Sequence, residues 1–252
     1  MAKNFLSNDY STLMTPERFT KLRTILDRRQ PDLTVMTDCV HKGRNLSAIV
    51  RTADAVGIGD VYCVLGDKDY RSFRGTALGS HRWVKVHRYT AINEPVAQLK
   101  QRGFQIVAAH LSADAVDFHD IDYNRPTALL MGSEKDGMSD VAGDLADVHI
   151  TIPMVGMVES FNVSVAAGII LAEAQCQRQK VGCYDQQRID QGTYDRLFFE
   201  WAHPKIRDLC YANDLAYPPL REDGEIDNLS AWYAQMRELL SERKSQEESV
   251  NG

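Results

Sequence analysis

The stretch Ile150–Gly168, ITIPMVGMVESFNVSVAAG, decides the fold because it predicts a strand, a loop and an apolar helix in succession. The strand ends at Pro153, a methionine-rich loop follows, and Ser160 and Asn162 precede the helix. Polar side chains and flexible methionines at the carboxyl end of a strand suit the ligand crevice of an open α/β sheet. The alternative is that Ser160 or Asn162 only caps the helix and that the loop belongs to the core.

The chain before this stretch repeats the succession of strand and helix. Short segments enriched in apolar and β-branched residues predict strands at 33–40, 60–65, 83–89, 104–111, 127–132 and 148–154. Amphipathic or apolar segments predict helices at 45–56, 92–102, 138–146 and 161–180. This alternation is typical of an α/β fold with a mostly parallel sheet and helices on both faces.

Segments of different composition flank this α/β domain. Thr15, Pro16 and Glu17 mark a helix start, with a hydroxyl cap, a proline at the first helical position and a carboxylate near the positive end of the dipole. The segment after Lys180 is aromatic and polar, with helical stretches broken by proline. We therefore predict disorder over 1–15, a basic helix over 16–32, the α/β domain over 33–180, a helical extension over 181–241 and a disordered tail over 242–252.

Composition predicts a globular protein located in the cytoplasm. The chain has 252 residues, 44% of them hydrophobic, and its longest uncharged apolar run, 163–172, is too short to cross a bilayer. No apolar segment follows a basic start at the amino terminus, so no secretion signal is expected. The five scattered cysteines form no C-x-x-C pair, which argues against a disulfide framework and against a metal site.

The net charge of −6 argues against a polycation that coats nucleic acid indiscriminately, yet one stretch is strongly basic. RFTKLRTILDRR, residues 18–29, contains a single acid, Asp27, among the basic residues Arg18, Lys21, Arg23, Arg28 and Arg29. Two interpretations stay open at this point: a solvated helix face, or a face that binds phosphates.

Two further stretches place polar residues where a ligand could bind. In HKGRNLSAIVRTADAVG, residues 41–57, Asn45 opens an apolar helix and Arg51 lies nearly two turns further on. In LLMGSEKDGM, residues 129–138, Gly132 and Gly137 flank Glu134 after a buried strand, and glycines there let a ligand approach the backbone closely. Taken separately, these features are also explained by a helix cap, a surface arginine and an ordinary strand-to-helix turn.

Taken together, the three stretches resemble the three motifs of the SpoU branch of the SPOUT methyltransferases. The motifs are N-x5-RT ending at Arg51 and Thr52, G-x-E-x-x-G over 132–137, and IPM-x-GM-x-x-S-x-NVS-x-A over 152–166. The likeness continues through RRQPDLTV at 28–35, AVDF at 115–118 and LAYP at 215–218, and so covers nearly the whole chain.

The resemblance implies a fold, a reaction and partners. It implies a deep trefoil knot in the C-terminal part of the sheet, which no hydrophobic pattern predicts. It implies S-adenosylmethionine as methyl donor and the ribose 2'-hydroxyl of guanosine 18 in the D-loop of tRNA as acceptor. It also implies that tRNA is the partner, that the protein is a homodimer, and that neither a membrane nor a metal takes part.

The resemblance also assigns roles to residues, and Ala109 and Phe161 stand where the family pattern has Thr and Leu. The residues assigned to catalysis are Asn45, Arg51, Glu134, Ser160 and Asn162. The residues assigned to the cofactor are Ala109, His110, Leu111, Gly132, Ile152, Met154, Met157 and Phe161. The residues assigned to tRNA are Arg18, Lys21, Arg28, Arg29 and Arg178.

Three other functions agree less well with the sequence than this interpretation. A ribosomal RNA 2'-O-methyltransferase of the same fold would often carry an additional N-terminal RNA-binding domain, for which the start of this chain leaves no room. A catalytically idle RNA-binding protein on the same scaffold would not need Asn45, Arg51, Glu134 and Asn162 together. A nicotinamide-dependent Rossmann enzyme is excluded because no G-x-G-x-x-G follows a strand.

Overall fold

The computed structural model describes residues 14–40, 42–65, 82–133 and 137–250, with only the backbone described over 244–250. The chain divides into two units, Asp27–Asp190 and the pair of segments Met1–Leu26 and Gln191–Gly252. Helix α1, Pro16–Asp27, precedes the first strand. The larger unit holds the sheet, and the smaller unit is helical.

Seven parallel strands form the sheet of the larger unit, in the order β3-β2-β1-β6-β4-β7-β5. The predicted α/β class and parallel sheet are therefore confirmed. The strands are β1 Leu33–Asp38, β2 Asp60–Val64, β3 Lys85–Tyr89, β4 Gln105–Ala109, β5 Val116–Asp117, β6 Thr127–Met131 and β7 Val148–Thr151. The helices of this unit are α2 Gly43–Ala55, α3 Asn93–Gln101, α4 Asp140–Asp144 and α5 Val163–Lys180.

Helices cover both faces of the sheet because successive side chains of a strand point to opposite faces. Val35 of β1 packs in one apolar cluster with residues of α2 and α5, such as Ile49 and Ile170. Its neighbour Met36 packs in a second cluster with residues of α3 and α4, such as Leu99 and Ala142. These side chains are almost completely buried, and burial of a valine, leucine, isoleucine or methionine contributes roughly 1.5–3 kcal/mol relative to an exposed one.

The structure differs from the sequence-based boundaries in several places. The two-residue strand β5 was not predicted, because so short a segment carries no alternation of apolar and polar residues. Helix α2 begins at Gly43, and its cap residue Lys42 makes no capping bond, so Asn45 lies inside the helix and is not its N-cap. Helix α5 begins at Val163 rather than at Phe161, and Asn162 caps it.

The smaller unit contains α6 Gln191–Ala202, α7 Pro204–Asn213 and α8 Leu229–Val250. Its apolar cluster includes Phe199, Ile206 and Trp232. The disordered tail predicted over 242–252 is wrong for 242–250, because α8 continues to Val250. The predicted helix start is confirmed, since the Thr15 hydroxyl accepts a hydrogen bond of 3.2 Å from the backbone N–H of Arg18.

The larger unit extends beyond the predicted domain limits of 33 and 180. Arg188 donates to both carboxylate oxygens of Asp32 at 2.8 Å, and the Tyr184 hydroxyl donates to the Val56 carbonyl at 2.9 Å. These bonds hold the segment after α5 against the start of β1 and the end of α2. Strand β4 lies between the later strands β6 and β7, and the trefoil knot that the family resemblance implies stays a prediction.

No helix in the part of the chain that the structure describes is long and apolar enough to cross a membrane. None of the five cysteines forms a disulfide bond in the structure.

Candidate active site

A cavity of about 360 Å³ opens where strands β4, β6 and β7 end, and we call it the carboxyl-edge cavity. Its volume falls in the range of roughly 300–1,000 Å³ that small-molecule sites occupy. Ligands of open α/β sheets bind outside the carboxyl ends of the strands, which is where this cavity lies. It is lined by Ala109, His110, Leu111, Met131, Gly132, Ser133, Gly137, Met138, Ile150, Thr151, Ile152, Met154, Glu159, Ser160, Phe161, Val163, Ala166 and Ile170.

Most of the predicted cofactor residues line this cavity. They are Ala109, His110, Leu111, Gly132, Ile152, Met154 and Phe161. Met157 is the exception: the residue is 99% exposed and does not line the cavity, and its assignment to the cofactor stays a prediction. The neighbouring Val155 is likewise exposed to solvent.

The turn after β6 requires glycine at two positions. A Cβ atom on Gly132 would lie 2.7 Å from the backbone of Gly137 and Met138, closer than such contacts occur. Gly137 has a φ of +71°, and its carbonyl accepts a hydrogen bond of 2.7 Å from the N–H of Ser133. The two glycines therefore let the backbone fold back on itself at the cavity wall. Glu134, which was assigned to catalysis, lies outside the described residues.

The structure joins the first and third motifs through two asparagines. The Asn162 side-chain amide donates to the Asn45 side-chain oxygen at 3.4 Å, across the packed helices α2 and α5. The Asn162 side-chain oxygen accepts from the N–H of Ser164 at 2.9 Å and from its hydroxyl at 2.7 Å. The interpretation of Asn162 as a helix cap is therefore correct, and the same side chain also contacts Asn45.

Arg51 lies on α2 with an exposed side chain. It forms no hydrogen bond or ion pair with any residue that the structure describes, whereas the neighbouring Thr52 hydroxyl donates to the Ala48 carbonyl at 3.0 Å. Arg51, Asn45 and Asn162 do not line the carboxyl-edge cavity, but Ser160 does. Arg51 thus presents a positive charge to solvent with no structural partner among the described residues that would explain its position.

Two of the predicted tRNA contacts are corrected because their side chains are buried. Arg29 is 2% exposed and donates to the carbonyls of Ile58 and Trp83 and to Asp54. Burial lowers the pKa of the Arg29 guanidinium, and the charge of Asp54 opposes that shift.

Arg178 is fully buried, and its guanidinium contacts the carboxylate of Asp32 at 2.6 Å and the carbonyl of Tyr123 at 2.8 Å. Burial alone would raise the pKa of Asp32, but hydrogen bonds and charges from Arg178 and Arg188 outweigh it and lower that pKa below its usual value. Arg178 therefore stabilises the fold and offers no charge to a nucleic acid.

The remaining predicted tRNA contacts differ in availability. Arg18 is half-buried and donates to the carbonyls of Trp201 and Ala202 at the end of α6, at 3.2 and 3.1 Å. Its guanidinium thus satisfies two carbonyls that the helix end leaves without partners. Lys21 and Arg28 are exposed and keep their charge accessible.

Sequence reasoning missed several lining residues that neighbour the motifs. Val163, Ala166 and Ile170 lie on one side of α5 at helical spacing, a signal that indicates a buried face but not a cavity wall. Glu159 precedes Ser160 in the third motif, and its proximity could have identified it. The others missed are Met131, Ser133, Met138, Ile150 and Thr151, whereas Gly137 was identified as a motif glycine.

Comparisons with known protein families agree with this geometry. Residues 32–172 match the family described as SpoU rRNA Methylase, and residues 176–229 match the one described as SpoU, rRNA methylase, C-terminal. The chain is 46% identical over 226 residues to a tRNA (guanosine(18)-2'-O)-methyltransferase of Escherichia coli, covering 89% of this chain and 99% of the relative. The enzyme of the same name from Thermus thermophilus is 48% identical over 187 residues, covering 74% of this chain and 96% of the relative.

Solved structures show the same similarity. The TrmH/SpoU tRNA modifying enzyme of A. aeolicus superposes with a TM-score of 0.70 at 40% identity, over 75% of this chain and 97% of that one. The SpoU methyltransferase AviRb of Streptomyces viridochromogenes, in complex with the cofactor AdoMet, gives a TM-score of 0.53 at 28% identity, over 61% and 62% of the two chains. With its three motifs, its parallel sheet and its carboxyl-edge cavity, the chain belongs to the SpoU rRNA methylase family.

Proposed function

We propose that the protein transfers the methyl group of S-adenosylmethionine to the ribose 2'-hydroxyl of guanosine 18 in the D-loop of tRNA. The observation that carries this proposal is the carboxyl-edge cavity, which residues of the second and third motifs line together. The E. coli and T. thermophilus relatives with this named activity match over 99% and 96% of their length. This extent favours tRNA over ribosomal RNA, because a similar rRNA methyltransferase from Sinorhizobium meliloti matches over 60% of its length.

The cavity fits a donor of this kind chemically. His110 lines the cavity, and its Nδ1 atom is buried without a hydrogen-bond partner among the described residues. Gly132 leaves backbone exposed where a side chain would clash. Apolar walls formed by Ile152, Met154 and Ile170 would bury an adenosine. When bound, S-adenosylmethionine supplies an activated methyl group on a sulfonium centre.

Arg51 prepares the acceptor hydroxyl in this proposal. A guanidinium holds its proton too tightly to serve as a general base, so Arg51 does not take the hydroxyl proton. It holds the neighbouring phosphate or the hydroxyl oxygen and lowers the free energy of the developing alkoxide. The hydroxyl proton passes to a phosphate oxygen or to water. The absence of any described partner for Arg51 supports this role, because its charge is not committed to the fold.

The other motif residues position the reactants. Asn45 orients Arg51 or the phosphate, and its contact with Asn162 supports a common role for the two asparagines. Ser160 and Asn162 hold the cofactor and the ribose, and Glu134 fixes Arg51 or the edge of the cofactor. Correct placement of two reactants can account for roughly 7–11 kcal/mol of a barrier, so these contacts supply much of the acceleration.

The proposal includes a homodimer of cytoplasmic protein. Large apolar side chains remain exposed on the loop before α5 and on its first turns, with Val155 and Met157 almost fully exposed and Val165 48% exposed. Exposed apolar surface of this kind is typical of an interface, and a second copy of the chain would cover it. We expect a dimer by analytical ultracentrifugation, and we expect Val165→Glu to shift it towards monomer. An unchanged monomer in both proteins would contradict this part.

One assay tests the activity. The purified protein is incubated with labelled S-adenosylmethionine and an unmodified tRNA transcript, and the labelled nucleotide is mapped. We expect one 2'-O-methylated guanosine at position 18 and no label in a transcript carrying 2'-deoxyguanosine there. Label on ribosomal RNA but not on tRNA would favour the rRNA alternative, and label on neither would favour the idle RNA-binding protein.

Lys21 and Arg28 are the proposed tRNA contacts, and their alanine variants should weaken tRNA binding.

A further inference from the structure

The described residues of the carboxyl-edge cavity wall carry very little formal charge. Among these residues, Glu159 has the only acidic side chain and His110 the only basic one. The remaining side chains are apolar or neutral, as shown by Ser160, Thr151 and Met154. The carboxylate of Glu159 is therefore the main source of charge among the described residues of this wall.

Nothing in the described structure explains Glu159 as a structural residue. Its side chain is exposed, and it forms no hydrogen bond or ion pair with any described residue. It lies between β7 and α5, next to Ser160 and Phe161, which also line the cavity. The helix cap of α5 is Asn162, so Glu159 does not serve as the cap.

The charge of the methyl donor changes during the proposed reaction. The donor carries a positive sulfonium, whereas the product that remains after methyl transfer is a neutral thioether. The ammonium and carboxylate groups of the amino-acid part are the same in the donor and the product. A carboxylate beside the transfer centre would therefore attract the donor more strongly than the product, and would make no such distinction if it lay against the shared part of the ligand.

We propose that Glu159 is a specificity-determining residue that favours the cationic donor over its neutral product. This inference rests on the proposed function, because it requires the donor to bind in the carboxyl-edge cavity. Since Glu159 is exposed, solvent screens its charge, and the expected discrimination is about three- to tenfold in affinity. Such a preference would assist release of the product and limit its inhibition of the enzyme.

Calorimetric titration of the full-length protein tests the inference with three probes. These are S-adenosylmethionine with its sulfonium, S-adenosylhomocysteine with a neutral sulfur, and sinefungin with an amine in place of the transferable methyl group. For Glu159→Gln, we expect binding of S-adenosylmethionine and sinefungin to weaken by about three- to tenfold, with S-adenosylhomocysteine changed by less than about twofold. Glu159→Asp keeps the charge and should retain most of the preference.

Controls separate this inference from the proposed function and from general effects. Glu94→Gln removes an exposed carboxylate of α3 that does not line the cavity, and it should leave all three affinities unchanged. Thermal melting confirms that each variant is folded. Equal weakening of all three probes by Glu159→Gln, or no weakening, would overturn the inference while leaving the proposed function intact. Failure of the unaltered protein to bind any probe would instead overturn the proposed function.

Discussion

A cavity lies at each end of the parallel strands, and the two cavities differ in the charge of their lining residues. The carboxyl-edge cavity encloses about 360 Å³, while the cavity at the starts of β4, β6 and β7 encloses about 660 Å³; we call the latter the amino-edge cavity. Residues lining the amino-edge cavity are Lys100, Gly103, Phe104, Gln105, Asp120, Ile121, Asp122, Arg125, Asp147 and Val148. The larger cavity is rich in charged groups, and the smaller one is mostly apolar.

Polar groups at the amino edge bind to one another. Lys100 contacts Asp147 at 2.7 Å, and the other carboxylate oxygen of Asp147 accepts from the N–H of Ile106 at 2.7 Å. Gln105 donates to the carbonyl of Asp122 and to the hydroxyl of Thr127. At the carboxyl edge, Glu159 and Ser160 have no such partners among the described residues, and the buried His110 Nδ1 has none. The charge of the lining therefore distinguishes the two cavities: five charged side chains line the amino-edge cavity, whereas Glu159 is the only acidic or basic residue besides His110 among the described residues of the candidate active site.

The largest expected effect concerns Arg51, whose charge has no partner among the described residues. Arg51→Ala should lower the rate of methyl transfer to tRNA by about 100- to 1,000-fold, because the developing negative charge loses its donor. Affinity for S-adenosylmethionine should stay within about twofold. Arg44→Ala removes another exposed arginine of α2 and is the matched control. Full activity of Arg51→Ala in single-turnover assays would contradict the proposed role.

Arg178 tests the opposite claim, that buried charges near the amino ends of the strands serve stability. Arg178→Met removes one of the two arginines that donate to Asp32 and the donor to the carbonyl of Tyr123, and should lower the free energy of unfolding by about 3 kcal/mol. Lys180→Met, at an exposed position of the same helix, should change it by less than about 0.5 kcal/mol. Urea titration followed by circular dichroism measures both. Equal stability of the two variants would contradict this account of Arg178.

The ion pairs of Asp32 with Arg178 and Arg188 predict that the free energy of unfolding depends on pH. Because the pKa of Asp32 is lower in the folded protein than its ordinary value of 3.8, its ionised form stabilises the fold above that value. This contribution is lost as the pH falls below 3.8 towards the lowered pKa. Asp32→Asn should therefore reduce the slope of unfolding free energy against pH in that acidic window. An identical slope in the variant and the unaltered protein would show that Asp32 is not a source of the acid sensitivity.

Gly132 tests whether the backbone turn shapes the carboxyl-edge cavity. Gly132→Ala introduces a Cβ atom that would lie 2.7 Å from the backbone of Gly137 and Met138, so the turn must shift. We expect affinity for S-adenosylmethionine to fall by about tenfold, with a loss of about 1–3 kcal/mol in stability. Gly156→Ala is the control, since its Cβ would have no described atom within 4 Å. Unchanged affinity in Gly132→Ala would indicate that the donor binds elsewhere.

The smallest effects are expected at the amino-edge cavity. Lys100→Met breaks a partly exposed ion pair with Asp147, and such pairs contribute less than about 1 kcal/mol. Calorimetry should show no change in the affinity for S-adenosylmethionine. A clear loss of affinity would mean that the ligand binds in the larger, charged cavity rather than in the mostly apolar one, and would reverse the comparison.

The parallel sheet could be predicted well from the sequence, because buried strands such as β6 are short and almost wholly apolar. The candidate site could also be located, since the motif residues at strand ends meet at one edge of a parallel sheet. The burial of Arg29 and Arg178 could not be predicted, because their acceptors include backbone carbonyls far away in the sequence. A charge pattern cannot distinguish such arginines from exposed Lys21 and Arg28. A sequence motif also does not specify the direction in which a loop side chain such as Met157 points.

A crystal structure of the full-length protein with bound S-adenosylmethionine tests the central claim most directly. The account predicts density for the ligand between the segment Ala109–Leu111 and the segment Glu159–Phe161, with the amino-edge cavity empty of it. Density for the ligand in the amino-edge cavity, or at any site not lined by these two segments, would contradict the account.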